Sequence, residues 1–412
     1  MTCESGYMQQ DATDLLVEDL PGNRPQLRVA VVTETYPPEI NGVSLSLKKV
    51  VDGLRERGHQ VQLVRPRQPK SDAGVMREPA VADAAAGVNH DVLLRGMPIP
   101  RYPNLQLGLP SRKRLEPLWT LKRPDVVHIA TEGPLGWSAL KVARKLKIPV
   151  TSDFRTNFHS YSSHYGVGWL SKPIMAYLKR FHNQTACTMV PTASLSKRLS
   201  DAGFLRLKVV PRGVDLQRFD PAHRSETLRA SWGAKPDTPV IMCVSRLASE
   251  KNLQLLVRAY AQAKLVRPDV KLVLVGDGPA RAELKGLAPD AIFAGVQTGQ
   301  ALSEYYASAD IFGFPSQTET FGNVVLEGMS SGLAVVAFDY AAAAETIQHG
   351  QNGLLARLND DEGFVQRVVE LTVEPDRVQR LRQAGRVTVQ SWDWQQIVAQ
   401  VESVMLQALA VP

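Results

Sequence analysis

The stretch Leu27–Glu34, "LRVAVVTE", followed by Ser44–Gly58, "SLSLKKVVDGLRERG", and then "HQVQLVRP", decides the fold. The first run is apolar and β-branched over the length of one strand. The second spaces Leu45, Leu47, Val50, Val51 and Leu54 as one face of a helix and stops at Gly58. The third reads as a strand again. A strand with no polar alternation is one buried on both faces, and a helix between two such strands brings the chain back parallel.

The same unit recurs outward from there. "PDVVHIA" (Pro124–Ala130), "WSALKVARKLK" and "IPVTSDF" (Ile148–Phe154) continue the first series. A second series opens near residue 239 with "PVIMCVSRL", "NLQLLVRAYAQAKL" and "VKLVLVGDG", and runs on through "AIFAG", "ALSEYYASA", "DIFGFPS", "NVVLEGMSSG" and "LAVVAFD". The expectation is an α/β protein of two Rossmann-like, doubly wound domains facing across a cleft. Residues 1–24 read as a disordered tail, 25–210 as the N-terminal domain, 211–221 as a Pro- and Gly-rich linker and 222–391 as the C-terminal domain. The last helix, within 392–410, is expected to return to the first domain.

Composition narrows the classes. The chain has 412 residues, 44% of them hydrophobic, enough for two cores. No apolar run approaches the ~20 residues of a spanning helix. Three well-separated cysteines, Cys3, Cys187 and Cys243, fit a reducing cytoplasm and argue against a disulfide framework or a Cys-based zinc site. The net charge of +7 is uneven: residues 1–210 hold 29 Lys and Arg against 18 Asp and Glu, and residues 211–412 hold 19 against 23. Nucleic acid and anionic lipid are both candidate partners for such a basic half.

Two charged groupings carry chemistry. "ETFGNVVLEG" sets Glu319 and Glu327 eight positions apart, around a turn that opens a helix near Asn323. Free amides at a helix start favour an anion, while carboxylates beside them suit sugar hydroxyls. In "SRLASEKN", Arg246 and Lys251 sit five apart where a strand gives way to a helix. Alone, each pair reads as surface charge. Two decoys weigh little. "GMSSG" (Gly328–Gly332) matches a serine-hydrolase elbow but lies after a helix and before a strand, the reverse order. "VGDGPA" lacks the third glycine of a dinucleotide fingerprint.

Together these stretches resemble the family-4 retaining glycosyltransferases of GT-B fold. "ETFGNVVLE" is similar to that family's E-x7-E motif and "SRLASEKN" to its Arg/Lys motif. "GVDLQRFDP", "ADIFGFPS" and "VAFDYAAAAETIQHGQNGLL" also match, as do "TETYPPEINGVS" and "DVVHIATEGPLG" in the first half. The resemblance spans roughly residues 27–400, and the stretch Asp153–Pro173 draws it toward the mannosyl- and sulfoquinovosyl-lipid transferases. It implies that Arg246 and Lys251 stabilise the departing diphosphate in place of a metal; the chain contains no Asp-x-Asp. It implies that Glu327 holds the donor's ribose and Glu319 its sugar. Phe321, Gly322, Asn323 and Val324 would offer backbone amides, Gly295 and Val296 would lie against the base, and Gly42 would let backbone approach a phosphate.

On the acceptor side the pattern departs from the family. Many relatives carry two glycines where this chain has Asn41-Gly42. Many read His-x-His where it has His128 and Ala130, so His128, the following "TEGPLG" loop or His159 must serve. Arg155 stands where relatives often have histidine and is a candidate for an anionic acceptor group. The implied activity is metal-independent, front-face hexosyl transfer, with no cofactor beyond the nucleotide-sugar substrate. GDP-mannose is the expected donor and a UDP-sugar the alternative, with a lipid or glycolipid acceptor at the cytoplasmic face of the plasma membrane. A sugar-nucleotide epimerase on the same fold is the other enzyme reading. A nucleic-acid-binding protein is the non-enzyme reading, and it gives the acidic pair no role. The basic stretches Ser111–Pro124 and Trp169–His182, with Trp119, Trp169, Tyr177 and Phe181, are expected to lie on anionic lipid.

Overall fold

The computed structural model describes residues 25–39, 41–68, 72, 91–99, 102–155 and 171–410. Two parallel sheets organise them. The first contains β1 (Arg28–Val32), β2 (Gln60–Pro66), β3 (Asp91–Leu94), β6 (Val126–Ile129), β7 (Val150–Asp153), β8 (Cys187–Val190) and β9 (Leu207–Val209), in the order β3-β2-β1-β6-β7-β8-β9. An antiparallel hairpin, β4 (Gly96–Ile99) and β5 (Tyr102–Gly108), interrupts the alternation and was not legible as such. The second sheet runs β12-β11-β10-β13-β14-β15, built from β10 (Val240–Val244), β11 (Lys271–Val275), β12 (Ile292–Gly295), β13 (Ile311–Phe314), β14 (Ala334–Phe338) and β15 (Leu354–Ala356).

Each sheet reverses its winding once. The chain moves outward from β1 to β3, then returns on the other side of β1 with β6; likewise β10 to β12, then back beside β10 with β13. At such a switch point the loops leave in opposite directions and open a crevice at the carboxyl ends of the strands. β1 shows why the unpatterned apolar run is needed. Val29, Ala30, Val31 and Val32 are all buried, alternating between two cores on opposite faces of the sheet.

The helix Trp394–Leu409 covers the first sheet, although it follows the second in sequence. Ile397, Val398, Val401 and Met405 pack with Leu47, Val50, Val51 and Leu54 of the helix Gly42–Glu56. The two helices cross at Gly53, where a Cβ would stand 2.6 Å from a Val398 methyl. Glu402 fixes the contact: it accepts from Arg57 Nε at 2.7 Å and lies 2.8 Å from His59 Nε2. Burial alone would raise its pKa, but these partners hold the carboxyl below its ordinary value.

The basic helices differ from the expectation. Trp119 and Phe181 are core residues, not interfacial ones: both are fully buried, and the Trp119 indole donates to Gln62 Oε1 at 2.9 Å. Leu121 and Tyr177 do reach the surface. Trp169 lies outside the described residues. Among the described residues, no helix is long and apolar enough to cross a membrane.

Candidate active site

The second sheet assembles its charged residues across the β10/β13 switch point. The loop after β10 presents Arg246, with Nη1 3.5 Å from Glu250 Oε1. It then winds one short turn, Ser249–Lys251, before Asn252 adopts a left-handed conformation and opens the helix Leu253–Val266. The loop after β13 is tied to this turn, since Thr318 Oγ1 donates to the Glu250 carbonyl at 3.0 Å. The tie brings Lys251 onto Glu319. Their side chains form an ion pair, and Ser316 Oγ donates to the same Glu319 oxygen at 2.7 Å. Gly322 then takes φ +92°, a left-handed conformation that only glycine adopts cheaply. The helix Asn323–Ser330 starts from it without a side-chain cap, leaving the Asn323 and Val324 amides at an uncapped positive end.

Glu327, over a turn into that helix, is half-buried and accepts from the Tyr306 hydroxyl at 2.8 Å. Burial raises its pKa, while the Tyr306 hydrogen bond and the nearby Arg218 charge oppose the rise. Gly295 ends β12 at φ +70° with open space around it, and Val296 beside it is 63% exposed. Phe321 turns inward against Trp392, 6.2 Å between ring centres. Ser330, the serine of the hydrolase-like motif, is buried and donates to the Phe219 carbonyl at 2.7 Å, which leaves no nucleophile there.

The first sheet is organised differently. Gly42 is the first residue of its helix, and Asn41 caps that helix by accepting from the Ser44 amide at 2.8 Å. Nothing stands within 4 Å of where a Gly42 Cβ would sit. The preceding loop is pinned by buried Glu39, which accepts from Thr35 Oγ1 at 2.5 Å and from the Gln68 amide. His128 has no exposed surface. Its Nδ1 lies 3.0 Å from Thr151 Oγ1 and its Nε2 3.5 Å from Asp153 Oδ2. Arg155 pairs with Asp153 as well, Nε to Oδ2 at 2.6 Å, and reaches Ser46 Oγ at 2.6 Å on the helix that begins at Gly42. Arg212 lies 3.7 Å from the same Asp153 oxygen. Burial works against the Asp153 charge, but Arg155, Arg212 and His128 hold its carboxyl well below the usual range. So Arg155 is not a surface residue: it belongs to a buried ion cluster around Asp153. His159 lies outside the described residues.

Two functional candidates escaped the sequence reading. One is Tyr306, in the helix Gly299–Ser308. The other is Glu34, at the carboxyl end of β1. Glu34 accepts the Leu135 amide at 3.0 Å and so caps the helix Pro134–Lys145 from a position 101 residues away. A Cβ at Gly133 would stand 2.1 Å from the carboxylate oxygens, so a side chain there would displace the Glu34 carboxylate. Burial pushes the Glu34 pKa up to about 7 despite the Leu135 amide, and the charge of Glu132 adds to the rise.

Residues 40–218 match the family model described as Glycosyltransferase Family 4, and residues 238–373 that described as Glycosyl transferases group 1. A GDP-mannose-dependent alpha-mannosyltransferase of Mycobacterium tuberculosis is 34% identical over 372 residues, 89% of this chain and 93% of that protein. The chain is a family-4 glycosyltransferase. As a retaining hexosyltransferase of that family, it needs no epimerase reading. The sulfoquinovosyl transferase SQD2 of Arabidopsis thaliana is 29% identical, over 91% of this chain and 72% of that protein. The sucrose-phosphate synthase of Thermosynechococcus elongatus shares the GT-B fold of this glycosyltransferase at TM-score 0.74 and 18% identity, covering 94% of this chain and all of that one. So does Anabaena HepE in complex with UDP and glucose, at TM-score 0.69 and 17% identity, with 92% of this chain and all of that one covered.

Proposed function

We propose that this glycosyltransferase moves mannose from GDP-mannose to a lipid or glycolipid, with retention and without a metal, at the cytoplasmic face of the plasma membrane. The observation that carries the donor side is the Lys251–Glu319 pair at one switch point, between the loop that carries Arg246 and the loop that leads to the uncapped start of the helix Asn323–Ser330. In this reading the residues from 222 to 391 hold the donor and those from 25 to 210 the acceptor, with 211–221 as the linker. Arg246 and Lys251 take the diphosphate, whose charge grows as the glycosidic bond breaks. Glu319 takes the sugar's hydroxyls, Glu327 the ribose, and Gly295 and Val296 the base. The Phe321–Val324 turn and Gly42 approach the phosphates and sugar through backbone.

No described carboxylate is assigned as a nucleophile on the sugar's far face. The C–O bond to phosphate breaks and the acceptor's oxygen bonds the anomeric carbon on that same face. The acceptor's proton passes to the departing phosphate oxygen. Catalysis is then positioning and leaving-group electrostatics. His128 has no exposed atom, so we place it, with Asp153 and Arg155, beneath the acceptor rather than against the sugar. His159 remains the acceptor-contact candidate. Relatives support the donor and acceptor classes: one is a GDP-mannose-dependent alpha-mannosyltransferase, and another is an alpha-monoglucosyldiacylglycerol synthase of Streptococcus pneumoniae, 29% identical over 328 residues. Exposed Arg112, Lys113, Arg114, Lys179 and Arg180 offer about 1 kcal/mol each to anionic lipid.

The test incubates the purified chain with GDP-mannose, UDP-glucose and UDP-sulfoquinovose over a lipid extract, with and without EDTA. Radiolabel should enter lipid from GDP-mannose, and EDTA should leave the rate unchanged. Transfer only from a UDP-sugar would replace the donor assignment. Loss of transfer in EDTA would overturn the mechanism.

A further inference from the structure

The donor-site reading gives Glu327 one task, accepting hydrogen bonds from a ribose, and that task has a physical difficulty. Burial raises the carboxyl's pKa, and a protonated carboxyl is a poorer acceptor that can also rotate. Two groups outside the motif counter this. The Tyr306 hydroxyl, on a fully buried ring, donates to Glu327 Oε2 at 2.8 Å. Arg218, from the segment that joins the two sheets, brings a positive charge that opposes the rise. Its guanidinium lies over the Phe219 ring, 5.1 Å from the ring centre. Phe219 in turn packs edge-on against Tyr306, 5.4 Å between centres. The Arg218 Nε is buried and, among the described residues, has no hydrogen-bond partner. Its backbone is held by Asp215 Oδ1 at 3.1 Å, and Asp215 pairs with Lys49 of the first-sheet helix at 2.7 Å.

We propose that Tyr306 and Arg218 are positioning residues for Glu327. The phenol fixes one carboxylate oxygen and the guanidinium supplies counter-charge, which leaves the other oxygen to accept from a vicinal diol. The arrangement selects a ribonucleotide donor over its deoxy counterpart. This inference rests on the donor-site reading above. The Phe219 ring links the two groups, with the Arg218 guanidinium over it and the Tyr306 ring packed against it. A buried site built to accept from a hydroxyl discriminates strongly against a ligand lacking it.

Calorimetry on the full chain tests the inference, using GDP and UDP and their 2′-deoxy and 3′-deoxy forms as probes. Tyr306→Phe keeps the buried ring and removes only the hydroxyl. It should weaken the ribonucleotide by about 10-fold or more, as loss of a bond to a charged group does, yet barely change the deoxy form. Arg218→Met should act in the same direction. In both variants the acid limb of binding should move to higher pH, because the Tyr306 hydrogen bond and the Arg218 charge both oppose the rise in the Glu327 pKa; the Cys243 thiol neighbours the phenol. In a Glu327→Gln background, Tyr306→Phe should add little. Equal weakening of ribo and deoxy forms would reduce Tyr306 to packing and overturn the inference, as would unchanged binding. A wild-type chain that ignores the ribose hydroxyls would instead sink the donor reading itself, and the inference with it.

Discussion

Each sheet carries a cation–carboxylate pair at its carboxyl edge, and the two pairs are built for opposite purposes. Lys251 and Glu319 are joined across two loops, with side chains 16% and 15% exposed. Arg155 and Asp153 are joined beneath the first sheet's edge, with side chains 2% exposed. The first pair can exchange partners with a polar ligand at small desolvation cost. The second cannot: separating it strands a charge in a low-dielectric interior. On the proposed reading, donor chemistry would sit on the more accessible pair and the acceptor side would rest on the buried one.

Substitution of the accessible cations puts that contrast under the greatest strain. Lys251→Ala and Arg246→Ala should each lower turnover by roughly 10²–10³-fold, the scale of losing one group that stabilises developing negative charge. The urea midpoint should move less than on breaking the interior pair, since Arg246 is exposed and the Lys251 and Glu319 side chains keep 16% and 15% of their surface. Wild-type rates in both variants would break the comparison outright. Asp153→Asn should do the reverse. It leaves Arg155 and Arg212 buried without their counter-charge and should cost about 3–5 kcal/mol in urea unfolding. A stable Asp153→Asn protein with lost transfer would show that the buried pair works on substrate after all.

The same contrast explains what the sequence could reveal. Unpatterned apolar runs such as Val29–Val32 announce buried parallel strands, and strand ends locate loops. Arg246, Lys251, Glu319 and Glu327 were legible because each lies within a few residues of a strand end or helix start. Tyr306 was missed although a signal existed: "ALSEYYASA" is a helix with two tyrosines, and the buried one needs a partner for its hydroxyl. Glu34 had no local signal, and Arg155, though singled out, gave none of its buried pairing with Asp153. Glu34 meets Leu135 across 101 residues and Arg155 meets Ser46 across 109, through contacts that exist only once the sheet has formed. The basic helices misled because Trp119 and Phe181 share the spacing of an amphipathic face, and periodicity does not tell a core face from a lipid face.

Glu34 yields the smallest effect and the sharpest one. Its pKa is about 7 in the folded chain and about 4.5 when exposed, so between these values the folded state binds more protons than the unfolded state. Stability is then fully present below about 4.5 and is lost as pH rises toward 7. Each unit is worth about 1.4 kcal/mol, and partial exposure trims the whole to roughly 1–3 kcal/mol. Glu34→Gln keeps an acceptor for the Leu135 amide and removes the titration. Subtracting its urea-derived stability from that of the wild type cancels every other acid in the chain. The difference should favour the wild type more at pH 5 than at pH 8, against the usual expectation that a negative charge strengthens a helix start by about 0.3–1 kcal/mol. A difference that grows with pH would mean the helix dipole outweighs burial, and Glu34 would then be as accessible as Lys251 and Glu319, erasing the distinction between the two edges.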